Sequence, residues 1–235
     1  MATRPVFVSN SYLPYVKSIE TNFKFYSGFA LSQARKSVDS LHSSFTSDHP
    51  EYEGLVLEIS SKSDNPLGVH LSAFNLMYMM TDGRKSFVEN VFQAGKCFSE
   101  GGPYTEILEM TAAEAKHFQL LRTSGDIIKF QLEGVDYPKE PKTFFYDWVY
   151  INALNQNQEL GDEVIKYRAF TDIAFNPQKS INCQARSVAL YVALKENGLL
   201  EEAISSPEKF MTLAFDTKEK QIEKNTEMAQ QLSMF

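Results

Sequence analysis

Apolar positions recur along this chain at two spacings, and those spacings predict its elements. Leu31, Ala34, Val38, Leu41 and Phe45 repeat every three or four residues, so residues 31–46 are predicted as a helix with one buried stripe, ended by Asp48-His-Pro50. Leu55-Val-Leu-Glu-Ile59 is a short run that predicts a buried strand, and Ser63-Asp-Asn-Pro66 with Gly68 predicts a turn. Ser86-Phe-Val-Glu89 and Thr111-Ala-Ala-Glu114 both match the capping-box pattern, in which a hydroxyl and an acid three residues on satisfy the first free N–H groups of a helix. The first opens a helix of about three turns that stops before Gly101-Gly-Pro103. Further on, 126–132 and 169–175 read as extended. Residues 144–154, 158–167 and 181–195 read as helices, the last closed by Gly198. Ser206-Pro207-Glu208 starts another helix, with proline at its first position. With no repeat, linker or break in composition, the chain predicts one α+β domain, predominantly helical, with a few short strands. Residues 1–54 form an N-terminal segment packed on it, 55–205 the core, and 206–235 a C-terminal helix and charged tail.

Residues 86–98 carry the densest chemistry. Val88, Val91, Gly95 and Phe98 form an apolar face, and Glu89, Phe92, Gln93 and Lys96 form a second stripe beside it. On a continuous helix Glu89 and Lys96 stand two turns apart, roughly 10 Å, too far to pair but placed to flank a ligand. The plain structural alternative is a capping acid at Glu89 and a lysine favouring the helix dipole at the far end.

Charge and composition narrow the classes. A formal net charge of -7 lacks the positive field of a protein that coats nucleic acid, so any nucleic-acid substrate is recognised at one lesion or an end. The longest apolar run, Leu76-Met-Tyr-Met-Met80, is far short of the ~18 residues of a membrane span, and the first residues lack a signal-peptide stretch, which points to the cytoplasm. Two isolated cysteines, Cys97 and Cys183, and four histidines without ligand spacing predict neither a disulfide framework nor a metal site.

In order, Ser61-Lys62, Pro66-Leu-Gly68, Leu71-Ser-Ala-Phe74-Asn75, Asp82-Gly83 and Val88-Glu89-x-x-Phe92-Gln93-x-x-Lys96-Cys-Phe98 resemble the motifs of the NADAR family. Phe145 to Leu154, Ser180 to Arg186 and Gly101 to Thr105 resemble the branch of antitoxins that accompany toxins ADP-ribosylating guanine in DNA. The resemblance spans about residues 20–210. Asn90 stands where the family has a histidine, and Asp172 stands either for a family aspartate or for a glutamate preceding it. Only Asn182 survives of a later Asn-x-Leu-Gly motif.

The resemblance implies a NADAR-like hydrolase that cuts the N-glycosidic bond between ADP-ribose and guanine in DNA, single-stranded by preference, beside a cognate ADP-ribosyltransferase toxin. Such a bond breaks through a cationic sugar, needs a proton for the departing nitrogen, and needs a carboxylate for the cation or the attacking group. By that resemblance Glu89 supplies the carboxylate. Lys96 either bonds the ribose or phosphates, or attacks the opened ribose aldehyde as an amine. Asp172 is the third catalytic candidate, with a turn cap as its structural alternative. Ser72, Phe74, Asn75, Phe92, Gln93, Trp148 and Asn182 are candidate binding residues, and Lys62 and Arg186 candidates for the pyrophosphate. No cofactor is implied. Two rival readings stand beside this one: an N-glycosidase acting on a small riboflavin-pathway ribosylamine, and a non-catalytic antitoxin that binds a toxin through its C-terminal segment.

Overall fold

The computed structural model describes residues 1–215. In chain order its elements are β1 (Ala2–Ser9), β2 (Val16–Phe23), α1 (Leu31–Asp48), β3 (Val56–Glu58), α2 (Pro66–His70), β4 (Met77–Met79), β5 (Lys85–Phe87), α3 (Val88–Ala94) and β6 (Lys96–Phe98). Then follow α4 (Ala112–His117), α5 (Leu120–Thr123), β7 (Ile127–Leu132), β8 (Val135–Tyr137), α6 (Phe144–Gln156), α7 (Gln158–Val164), β9 (Ala169–Thr171), α8 (Gln184–Glu196), α9 (Leu200–Ala203) and α10 (Pro207–Phe215). The part of the expected charged tail after 215 lies outside the described residues. No described helix is long and apolar enough to cross a membrane.

The fold is mixed α+β: helix exceeds strand, as expected, and three sheets make that excess modest. A four-stranded sheet runs β2-β1-β9-β3, with β4-β5 and β6-β7-β8 as smaller ones. β1 and β2, eight residues each, form a hairpin that the hydrophobic pattern did not announce. The reason lies in its two covers. Val6 and Val8 pack with Val38, Leu41 and Phe45 of α1, while Phe7 joins the main core with Leu57 and Phe170. A strand covered on both faces loses the polar alternation that marks a half-buried one. β2, at the sheet edge, keeps Lys17, Glu20 and Asn22 and reads as a loop.

The main core is built on α6 and α8, most of whose residues are buried. Asp147 of α6 is 1% exposed and is held by Arg186 and by the Ser187 hydroxyl, which donates at 2.6 Å. Tyr150 donates from the same helix to the Leu71 carbonyl, fixing the loop before β4. Pro66–His70 is a short helix rather than the expected turn, because the Asn65 side chain accepts from the Leu67 N–H and proline fits the first helical position.

Candidate active site

α3 is shorter than its stripe predicts, and its start is not a capping box. Ser86 is the middle residue of β5, and its hydroxyl donates to the Leu108 carbonyl at 2.7 Å. The helix N–H groups find other partners: Val88 donates to Leu76 and Glu89 to Ala73, each at 3.0 Å. Glu89 is thereby released from the structural job the sequence offered it. The predicted Thr111 capping box is present, with Glu114 reciprocating. Asn90, where the family has histidine, is buried and donates to the carbonyls of Ile107 and Met110.

The helix ends at Gly95, where a Cβ would stand 2.7 Å from the Phe145 ring. This close approach lets the chain turn at once into β6, so Lys96 begins a strand paired with Phe130 instead of the last turn of a helix. The residues of the stripe still form a chain of contacts. Lys96 Nζ donates to Gln93 Oε1 at 2.7 Å, and Gln93 Nε2 donates to Glu89 Oε1 at 2.8 Å. The Lys96 Nζ–H fixes the amide orientation and the amide presents its donor to the carboxylate. Lys96 Nζ also lies 4.8 Å from the centroid of Phe92. Burial holds the Lys96 amine below the usual lysine range, opposed by the negative charge of Glu89.

These side chains line a cavity of about 780 Å³, within the ~300–1,000 Å³ range of small-molecule sites. Asp172, just past β9, lines it too. Its Oδ1 accepts from the Ala174 and Phe175 N–H groups, a turn cap as the structural alternative held, and its Oδ2 accepts from Gln184 Nε2 at 3.0 Å. Burial pushes the Asp172 carboxyl up to about 7, with the nearby Glu58 charge adding to the rise. A carboxyl poised there holds a proton for much of its time near neutrality.

Of the residues singled out in the sequence, Glu89, Lys96, Asp172, Phe74, Phe92, Gln93 and Asn182 line this cavity. Phe92 is engaged with Phe130, stacked at 5.7 Å, and Phe74 is the more open ring. Five candidates are not in the lining. Ser72 is fully buried, and its hydroxyl accepts from the Phe74 N–H. Asn75 is exposed and donates to the Val69 carbonyl. Trp148 packs between Tyr137 and Phe210, Arg186 pairs with Asp147, and Lys62 sits in the loop after β3.

The cavity also holds residues the sequence reading passed over. Tyr146 lines it from α6, near enough to Glu89 and Asp172 for both, after burial, to push its phenol far up, so it stays protonated. Gln184 joins three parts of the site. Its Nε2 serves Asp172 and the Ile59 carbonyl, and its Oε1 accepts from the Ala73 N–H. It lay inside the 180–186 motif, and a glutamine opening a helix whose middle, 188–194, is wholly apolar was the available signal. Lys139, Lys142 and Lys179 stand exposed at the mouth.

Compared with known protein families, the chain matches the model described as DarT1-associated NADAR antitoxin over residues 2–224. No curated protein matches it.

Proposed function

As the chain belongs to the family of DarT1-associated NADAR antitoxins, we propose that it acts as an antitoxin by removing ADP-ribose from guanine in DNA. The family supports a toxin partner; the base, the bond and the single-stranded substrate are our reading. What carries it is the relay Lys96–Gln93–Glu89 sharing one cavity with an Asp172 carboxyl that titrates near neutrality.

Each group has one task. Asp172 gives its proton to the guanine nitrogen as the C1–N bond breaks and the electron pair leaves with the base. Glu89 faces the positive charge at C1, and its full negative charge favours that state over the neutral substrate. The Lys96 amine, in the neutral form that burial favours, keeps its lone pair free beside the bond to Gln93 and attacks C1 of the cationic sugar. The new C–N bond sheds one proton, which Glu89 returns to Asp172. The bond from C1 to the ring oxygen then breaks, its electron pair staying on oxygen while the second nitrogen hydrogen passes to that oxygen through Glu89, and an imine remains. Water then hydrolyses the imine to the aldehyde form of ADP-ribose, and Glu89 carries the protons between nitrogen and water. Phe74 offers a ring to the base, and Asn182 a polar group beside it.

The test is direct. The protein, incubated with a guanine-ADP-ribosylated single-stranded oligonucleotide, should release free ADP-ribose and leave unmodified guanine, read by mass spectrometry. An intact adduct after prolonged incubation with folded protein rejects the catalytic reading and leaves an antitoxin that acts by binding.

A further inference from the structure

One buried acid has no place in the reaction as drawn. Glu58, the last residue of β3, is 1% exposed, yet it interrupts an otherwise apolar strand. β3 lies parallel to β9 with Glu58 opposite Thr171, the residue before Asp172. Its two oxygens reach to both sides of that aspartate. Oε2 accepts from the Thr171 hydroxyl at 2.6 Å, and Oε1 accepts from the Ile173 N–H at 2.9 Å and the Ser60 hydroxyl at 2.6 Å. Thr171 also meets His42 Nε2 of α1 at 2.8 Å. With its one hydrogen given to Glu58, the Thr171 oxygen accepts there, so Nε2 carries the imidazole hydrogen. Burial pushes His42 down to about 4, so it is neutral at pH 7 and adds no positive charge to the cluster.

We propose that Glu58 is a positioning residue for Asp172: it holds the backbone on both sides of that aspartate and, as the carboxylate with the shorter hydrogen bonds, leaves Asp172 as the one that carries the proton. The inference rests on Asp172 being the proton donor of the reaction above. Two carboxyls whose charges act on each other do not both ionise readily, and hydrogen bonds to the charged form decide which ionises first. Each carboxyl has three donors, but those of Glu58 stand at 2.6, 2.6 and 2.9 Å against 3.0, 3.2 and 3.0 Å at Asp172, and the shorter bonds favour charge on Glu58, although burial still pushes its carboxyl up. Asp172 has one side-chain donor and two N–H groups and, from burial and the Glu58 charge, ionises last. The other groups facing the pair are Tyr146 and Tyr150 of α6 and Cys183 before α8, all kept neutral by burial. Asp64 faces Glu58, and Glu89 faces Tyr146. A merely structural acid would serve equally well as an amide.

Glu58→Gln separates the two roles. Its amide oxygen keeps the Ile173 and Ser60 donors, and its amide nitrogen donates to Thr171, which then turns its hydrogen to Nε2 of the other neutral His42 tautomer. The fold is thus accommodated while the charge is removed. Single-turnover release of ADP-ribose from the modified oligonucleotide is measured across the neutral pH range for wild type, Glu58→Gln and Asp172→Asn. The expected result is an alkaline limb, set by Asp172, that moves to lower pH by about one unit or more in Glu58→Gln. That is a loss of roughly tenfold or more on the limb, with KM nearly unchanged. An unmoved limb in Glu58→Gln, with Asp172→Asn inactive, overturns the role of Glu58 alone. Full turnover by Asp172→Asn overturns the assignment of Asp172, and the inference with it. Should Glu58→Gln fail to fold, carboxyl carbon NMR of the wild type decides. Glu58 is expected to ionise at lower pH than Asp172, and the reverse order overturns the proposal.

Discussion

At the scale of single residues, Glu89 is the sharpest case because the structure gives it so little else to do. Among the described residues its side chain accepts one hydrogen bond, from Gln93 Nε2, and a glutamine there keeps an oxygen to accept it. Glu89→Gln is therefore expected to change stability by no more than ~1 kcal/mol, the net scale of one hydrogen bond. Turnover should fall about 10²-fold or more, the contribution of one positioned acid–base group. Ser86→Ala is the control: it removes the bond to Leu108, should cost about 1 kcal/mol and should spare the rate. Thermal unfolding and single-turnover kinetics read both, and near-normal turnover in Glu89→Gln refutes the catalytic assignment. Lys96 has a separate test. If its amine takes C1, borohydride added during turnover leaves ADP-ribose bound covalently to Lys96, and Lys96→Arg loses the rate although arginine keeps the charge. Turnover without a trapped adduct, together with an active arginine variant, reduces Lys96 to orienting Gln93.

At the scale of elements, the ion pair joining α6 to α8 decides what Arg186 does. Asp147 is almost wholly buried, and among the described residues only the Ser187 hydroxyl reaches it apart from Arg186. Arg186→Met leaves that charge without its cation, and such losses cost about 3–5 kcal/mol. Denaturant unfolding is expected to show a loss of that order, with KM for the modified oligonucleotide changed by less than about threefold, because Arg186 is outside the cavity lining. A raised KM at unchanged stability would return Arg186 to the ligand. The same scale shows what was legible in the sequence. α1 was, because Val38, Leu41 and Phe45 bury a stripe that nothing else in the segment obscures. The Ser86 box was not, because carbonyls of Ala73 and Leu76, donated by a loop more than ten residues away, take the N–H groups that a local cap serves. Lys96 fell on the expected ridge but on the wrong kind of element, since the tight contact of Gly95 with Phe145 is invisible to periodicity. The motif that carries Glu89, Gln93 and Lys96 was legible as an ordered set. Glu58 and Tyr146 reach the site only through long-range packing of β3 and α6, which no local pattern marks, whereas Gln184 left the one trace of a glutamine at the head of α8.

At the scale of the whole molecule, a chain of net charge -7 needs its positive charge in one place if it is to act on DNA as proposed. Lys139, Lys142 and Lys179 supply it at the cavity mouth, with Glu140 among them. Each lysine on a phosphate of a single strand releases bound counterions, so binding weakens with salt by a slope of roughly -0.7 per contact. Three contacts give a slope no steeper than about -2, far below that of proteins that coat nucleic acid. Replacing all three by alanine should flatten the slope and raise KM for the modified oligonucleotide at low salt. The rate at saturation should change little, since none of the three is assigned to the C1–N bond. An ADP-ribosylated guanosine, which lacks flanking phosphodiesters, should be processed equally by wild type and variant. Initial rates for both substrates over a series of salt concentrations provide the measurement. If the oligonucleotide and the nucleoside respond alike to the substitutions, the mouth lysines do not read a strand. The substrate then has to be sought among small ribosylated bases, which the cavity alone selects.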